Sequence, residues 1–123
     1  MKELFNSFEK SLKRLEDVLK KEKTVENRDS AIKRFEFTIE LAWKCIQKFL
    51  REQEIICRSP KECLKEAFKF GLVEDDERWI EAFEDRNLTT HTYDEENAEK
   101  VYNRLPRYLE IFKSLKEKLR ENL

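Results

Sequence analysis

One glycine, two prolines and one histidine are all that 123 residues contain of these types, and each shortage removes a class of protein. With Gly71 alone, the chain has no glycine-rich phosphate loop, and hairpins and bulges are disfavoured. Cys45, Cys57 and Cys63 are odd in number and lack C-x-x-C spacing. They indicate neither a disulfide framework nor a zinc knuckle, and buried free thiols are expected. No window approaches the roughly 18 apolar residues of a membrane span. The opening "MKELFNSFEK" also lacks the apolar stretch of a secretory leader. The 26 basic and 27 acidic residues leave a net charge of -1, so no global field draws the molecule to nucleic acid or anionic membrane. Polyanion binding must come from a local patch. A soluble, cytoplasmic protein with no membrane contact is expected.

What the chain has in abundance is charge, at 43% of residues, joined to helix-forming aliphatics. This composition predicts an all-α fold, and the length suits a single domain spanning residues 1–123. Leu4, Phe5, Phe8, Leu12, Leu15 and Leu19 recur at steps of three and four, predicting a first helix to about Lys21. A second runs from about Asp29 to Glu52, with Ile32, Phe35, Ile39, Ala42, Trp43, Ile46 and Phe49 on one face. Phe37, Leu41 and Cys45 form a stripe on its opposite side. Either the domain covers both sides, or the second stripe meets another subunit; in so short a chain the interface is favoured, most simply as a two-fold dimer.

"SPKE" reads as a helix start, with Ser59 as N-cap, Pro60 at the first helical position and Glu62 closing a capping box. Leu64, Ala67 and Phe68 are expected to face inward, and Gly71 to stop the helix. A fourth helix begins near Asp75 or Asp76, where acidic residues suit the positive helix end. The last starts after Tyr93, capped by Asp94, and carries Ala98, Val101, Tyr102, Leu105, Leu109, Phe112 and Leu119 on one face. Pro106 lies inside it, which predicts a kink or short break near Leu105.

The fourth helix changes character midway. Counting three, four, seven and eight residues on from Phe83, taken as inward-facing, gives Arg86, Asn87, Thr90 and His91. Such groups cost a few kcal/mol each when buried without partners, so the row should face a wet cleft or a partner surface. The plainer alternative is structural: Arg86 pairs with an acidic neighbour, Asn87 and Thr90 fray the helix end, and His91 serves as a cation at a helix C-terminus. Spacing does not separate the two.

Three segments, "RFEFTIELAWKCIQKFL", "SPKECLKEAFKFGLVEDDERW" and "EDRNLTTHTYDEENA", resemble the nucleotidyltransferase substrate-binding family, a branch of the HEPN superfamily of helical bundles. The similarity covers about Arg34 to Tyr108, with the motifs in the family's order. It implies an up-and-down bundle of about five helices that forms a homodimer or a higher oligomer and works beside a separately encoded minimal nucleotidyltransferase. It also implies a metal-independent ribonuclease site at Arg86, Asn87 and His91 in the dimer cleft, with no cofactor; Thr90, from the row counted off Phe83, is expected as a binding residue beside them. Tyr93 completes an R-x-x-x-x-H-x-Y pattern, and by resemblance it would receive AMP from a nucleotidyltransferase antitoxin. Its alternative is an aromatic that packs on the core at a helix entry.

Imidazole titrates near neutrality and suits His91 to proton transfer during attack of a ribose 2′-hydroxyl on the adjacent phosphate. A planar guanidinium suits Arg86 to holding that phosphate and the charge developing on it. Two functions therefore stand: a ribonuclease toxin restrained by its cognate nucleotidyltransferase, or a non-catalytic subunit that binds RNA or a nucleotide for that enzyme. A purely structural adaptor is the third. One departure is visible, since relatives carry a glycine in the turn after the second helix and "EQEIICRSP" has none.

Overall fold

The computed structural model describes all residues, Met1–Leu123. Five helices follow in order: α1 (Lys2–Leu19), α2 (Val25–Glu52), α3 (Pro60–Phe70), α4 (Glu77–His91) and α5 (Glu95–Glu121). Pairings between side chains give their directions. Glu16 meets Lys113 and Glu9 meets Arg120, so α1 runs against α5. Phe35 stacks on both Tyr108 and Phe112, and Arg28 holds Glu95, so α2 and α5 run together. Asp85 bonds Arg104 while Arg78 bonds Glu110, so α4 opposes α5. The four long helices form an up-and-down bundle, and α3 lies against α2 and α4.

Local chemistry sets the ends. Thr24 caps α2 by accepting from the Asn27 amide, which starts the helix at Val25, four residues before the expected Asp29. Ser59 accepts from the Glu62 amide, and the Glu62 carboxylate accepts from the amide of Arg58 rather than from that of the cap. Gly71 ends α3 at φ 90°, in the left-handed region that glycine occupies without strain. Asp76 and Asp94 cap α4 and α5. The glycine-free turn after α2 is closed by Glu54 at φ 63°, an uncommon conformation for a residue with a Cβ.

The core is one cluster contributed by every helix, with Phe8, Phe35, Ile39, Ile46, Leu105, Tyr108 and Phe112 fully buried. Trp79 packs edge-on against Phe112 and brings α4 into it. No helix is long and apolar enough to cross a membrane.

Several expectations are corrected. Cys57 and Cys63 form a disulfide across the α2–α3 connection, and only Cys45 is a free, buried thiol. The pair joins the connecting loop to the first turn of α3, a spacing outside the C-x-x-C pattern. Phe68 points outward while Cys63 takes the inward position beside Leu64 and Ala67. The short break expected near Leu105 is absent, since helix α5 continues through Pro106, which sits on the exposed side where a missing backbone bond is cheapest. The second stripe of α2 divides: Cys45 is fully buried within its own chain, Leu41 is half-buried, and Phe37 remains 48% exposed.

Candidate functional site

Helix α4 turns a mixed face to the bundle. Trp79, Ala82, Asp85 and Thr89 are its buried residues, and Phe83 is only partly covered. The inward face is thus rotated from the one counted off Phe83: Arg86 sits at its edge, half-buried, and Asn87, Thr90 and His91 are exposed. The rotation follows from Trp79, whose contact with Phe112 fixes the helix about its axis.

Below α4, α2 presents an acidic edge. Glu40 accepts from Arg86 Nη2 at 2.7 Å, Glu36 accepts from the Thr89 hydroxyl at 2.7 Å, and Asp29 accepts from the Tyr93 hydroxyl at 2.5 Å. The order 40, 36, 29 against 86, 89, 93 shows that the helices are antiparallel here. Arg86 Nη1 also lies 3.4 Å from the Asn87 carbonyl oxygen Oδ1. On the helix Arg86 and Thr90 are one turn apart, as are Asn87 and His91. Five residues at about 100° each set Arg86 and His91 about 140° apart around the axis. One α4 therefore offers a guanidinium at its inner edge and an imidazole on its outer side.

Two further networks hold this segment. The carboxylate of Asp85, buried next to Arg86, accepts from Arg104 Nε and Nη2 at 2.8 and 2.7 Å and from the Tyr108 hydroxyl. Burial, then the neighbouring Asp85 carboxylate, push the Tyr108 hydroxyl well above its ordinary pKa, so it stays a donor. At the α4–α5 corner, Arg28 is 2% exposed and forks to Glu95 at 2.8 and 3.1 Å while also donating to Asp29 at 3.1 and 3.0 Å. The hydrogen bond from Tyr93, then that from Arg28, hold the Asp29 carboxyl below its usual range. Desolvation and the Asp29 carboxylate push the Tyr93 phenol up to about 12. Tyr93 itself is 51% exposed, which rules out the reading of a core-packed aromatic.

The residues singled out from sequence thus fall into an edge position, Arg86, and an exposed row, Asn87, Thr90, His91 and Tyr93. Sequence reasoning missed Glu40 and Asp29, which accept from Arg86 and Tyr93, and Glu36 and Asp85, which tie α4 to α2 and α5. For Asp85 a signal exists, because it follows Ala82 at helical spacing and Arg104 and Tyr108 lie one turn apart on the facing helix. No group of three His, Cys, Asp or Glu side chains is arranged to hold a metal ion.

Comparison with known proteins places this arrangement. A family model described as "Nucleotidyltransferase substrate binding protein like" matches residues 3–121. A Haemophilus influenzae protein named "Probable ribonuclease HepT" is 36% identical over 96 residues, covering 74% of this chain and 66% of that protein, so the chain spans a little under two thirds of its relative. A crystal structure of a Thermus thermophilus protein superposes with TM-score 0.84 at 38% identity, over 92% of this chain and 98% of that one. An H. influenzae structure, described as revealing the fold of a substrate binding domain of a nucleotidyltransferase, gives TM-score 0.82 at 28% identity, over 94% and 98%. With nearly its whole length matched in sequence and the same bundle in its relatives, the chain belongs to the nucleotidyltransferase substrate-binding family.

Proposed function

We propose that the protein is a metal-independent RNA endonuclease toxin of the HEPN type, neutralised by a cognate minimal nucleotidyltransferase. The observation that carries this reading is the exposed imidazole of His91 on the same helix as the half-buried guanidinium of Arg86, in a family that includes a protein named as a ribonuclease. Arg86 exchanges Glu40 for a phosphodiester and stabilises the charge developing on its oxygens. Asn87 orients the phosphate, Thr90 contacts the strand, and His91 moves the proton of the attacking 2′-hydroxyl.

The wide angle between Arg86 and His91 favours a centre completed by a second copy. In a two-fold homodimer, the exposed row of one protomer faces that of its partner, and the imidazole of one copy takes the 2′-hydroxyl proton at a phosphate held by the guanidinium of the other and returns it to the leaving 5′-oxygen. Tyr93 is the acceptor for AMP from the nucleotidyltransferase; its exposure and its anchoring by Asp29 leave the phenol presented at the edge of the same row. In that step the Tyr93 phenolic oxygen attacks the α-phosphate of ATP, the bond to the β-phosphate breaks and pyrophosphate leaves, and loss of the phenolic proton removes the bond donated to Asp29.

Purified protein should cleave single-stranded RNA in EDTA, and His91→Ala should abolish cleavage while leaving the helical spectrum and oligomeric state unchanged. Equal activity in His91→Ala would overturn the assignment. Incubation with the nucleotidyltransferase and ATP should add the mass of AMP to the wild type and none to Tyr93→Phe. A second reading, a non-catalytic subunit that binds a nucleotide or RNA for the transferase, draws on the Arg86–Glu40 pair, in which the guanidinium is already engaged. That reading predicts affinity dependent on Arg86 with no accumulating product.

A further inference from the structure

Helices α1 and α2 enclose an open groove of about 470 Å³ on the side of α2 away from α5. Its charge is one-sided. Lys10 and Arg14 come from α1, Arg34 and Lys44 from α2, and none of the four forms an ion pair. Glu40 is the only carboxylate in the lining, and it is engaged by Arg86 at 2.7 Å. In a chain with net charge -1, four uncompensated cations around one groove form a local positive field of the kind its overall composition lacks. The floor is apolar, made by half-buried Leu41 and exposed Phe37, and the ammonium of Lys33 sits 5.5 Å from the centre of the Phe37 ring.

We propose that this groove is a docking track for the backbone of single-stranded RNA, leading to Arg86. The inference rests on the ribonuclease reading and extends it by naming where the strand lies outside the cleavage centre. Three observations favour this occupant. The cations flank an exposed aromatic face, the combination by which proteins hold a strand through its phosphates and stack a base without reading sequence. Lys10 and Arg14 are one helical turn apart, about 6 Å along the axis, so they address successive positions of an extended chain. Glu40 joins the groove to Arg86, so a phosphate entering along the track reaches the guanidinium by displacing that carboxylate. A second copy closing directly over the groove would instead bring two identical positive surfaces together, which like charges oppose.

The test uses the full-length protein and a 2′-O-methyl oligonucleotide, which binds without being cut, titrated across a range of salt concentrations. Arg14→Gln, Arg34→Gln and Lys44→Gln are exposed or half-buried changes that keep good helix formers. Combined, they should weaken binding at least tenfold and lower the slope of log K against log salt by about 2, at about 0.7 for each phosphate no longer neutralised. Lys61→Gln, Lys65→Gln and Lys69→Gln on α3 remove the same charge and should leave the slope near that of the wild type. Equal slopes for the two triple variants would overturn the track while leaving cleavage by Arg86 and His91 standing. Loss of nucleotidyltransferase binding with unchanged oligonucleotide affinity would assign the groove to a protein and overturn it too. Metal-free cleavage that His91→Ala does not affect would reject the ribonuclease reading itself, a result distinct from either.

Discussion

Asp85 precedes Arg86 and is buried in a polar network with two residues of α5, so its replacement tests how this part of α4 is held. In Asp85→Asn the carboxylate that accepts from Arg104 and Tyr108 becomes an amide with one acceptor oxygen. Breaking a buried ion pair costs about 3 to 5 kcal/mol when the surviving charge is stranded. Here the Arg104 side chain is 27% exposed and recovers some water, whereas Tyr108 is fully buried and does not. The expected loss is therefore about 2 to 4 kcal/mol, the low end reflecting rehydration of the guanidinium. Tyr108→Phe leaves the Asp85–Arg104 pair intact and should cost about 1 to 2 kcal/mol. The double variant should fall short of the sum by about 1 kcal/mol, because the two changes remove a shared bond. Urea unfolding followed by circular dichroism at one fixed protein concentration reads all three. With a slope of about 2 kcal/mol per molar urea, Asp85→Asn should move the midpoint down by about 1 to 2 M. A shift no larger than that of an exposed control such as Glu84→Gln, or strict additivity in the double variant, would refute the reasoning.

Other perturbations have equally definite outcomes. Gly71→Ala meets no atom within 4 Å, so only the backbone at φ 90° resists it, and a loss of about 1 kcal/mol in the same assay is expected. Glu54→Gly should stabilise by a few tenths to about 1 kcal/mol, since glycine removes the strain at φ 63° at some entropic cost; destabilisation would contradict the turn geometry. Reduction of Cys57–Cys63, whose short loop constrains the unfolded chain, should cost about 2 kcal/mol, while Cys45, with its thiol pushed up to about 12 by burial, should resist alkylation in the native protein. Asp29, Asp76 and Glu95 have folded-state pKa values lowered by Tyr93, Arg78 and Arg28 respectively. Their stabilisation is present above the unfolded carboxylate values of about 4 and is lost as pH falls through the lower folded ones. Thermal midpoints should therefore hold from pH 7 to pH 5 and drop on further acidification, and a midpoint that rises there would contradict the assigned pairs.

The helices are readable because the determinants of each are local. The 3.6-residue repeat of α1, the Ser59 and Asp94 caps and the Gly71 stop each concern residues within a turn or two of one another. Errors arise where a distant partner decides. Periodicity alone puts Phe83 at the centre of the inward face of α4, but the contact of Trp79 with Phe112, on another helix, sets the rotation. The disulfide depends on the path of the loop between α2 and α3, which no periodicity encodes. Pro106 breaks nothing because it falls on the outer side of α5. The candidate site divides in the same way: its chemistry-bearing residues lie in one short stretch of α4 and the following corner, while their acidic partners lie 46 to 64 residues away on α2.

The most direct test of the account mixes two inactive proteins. Arg86→Ala and His91→Ala are purified separately, exchanged by brief dilution and reconcentration, and assayed for RNA cleavage in EDTA. If the guanidinium of one protomer and the imidazole of its partner serve the same phosphate, the mixture regains a measurable fraction of wild-type activity that neither protein has alone. Activity no greater than the sum of the separate variants, with subunit exchange verified by mass, would contradict a centre shared between two copies.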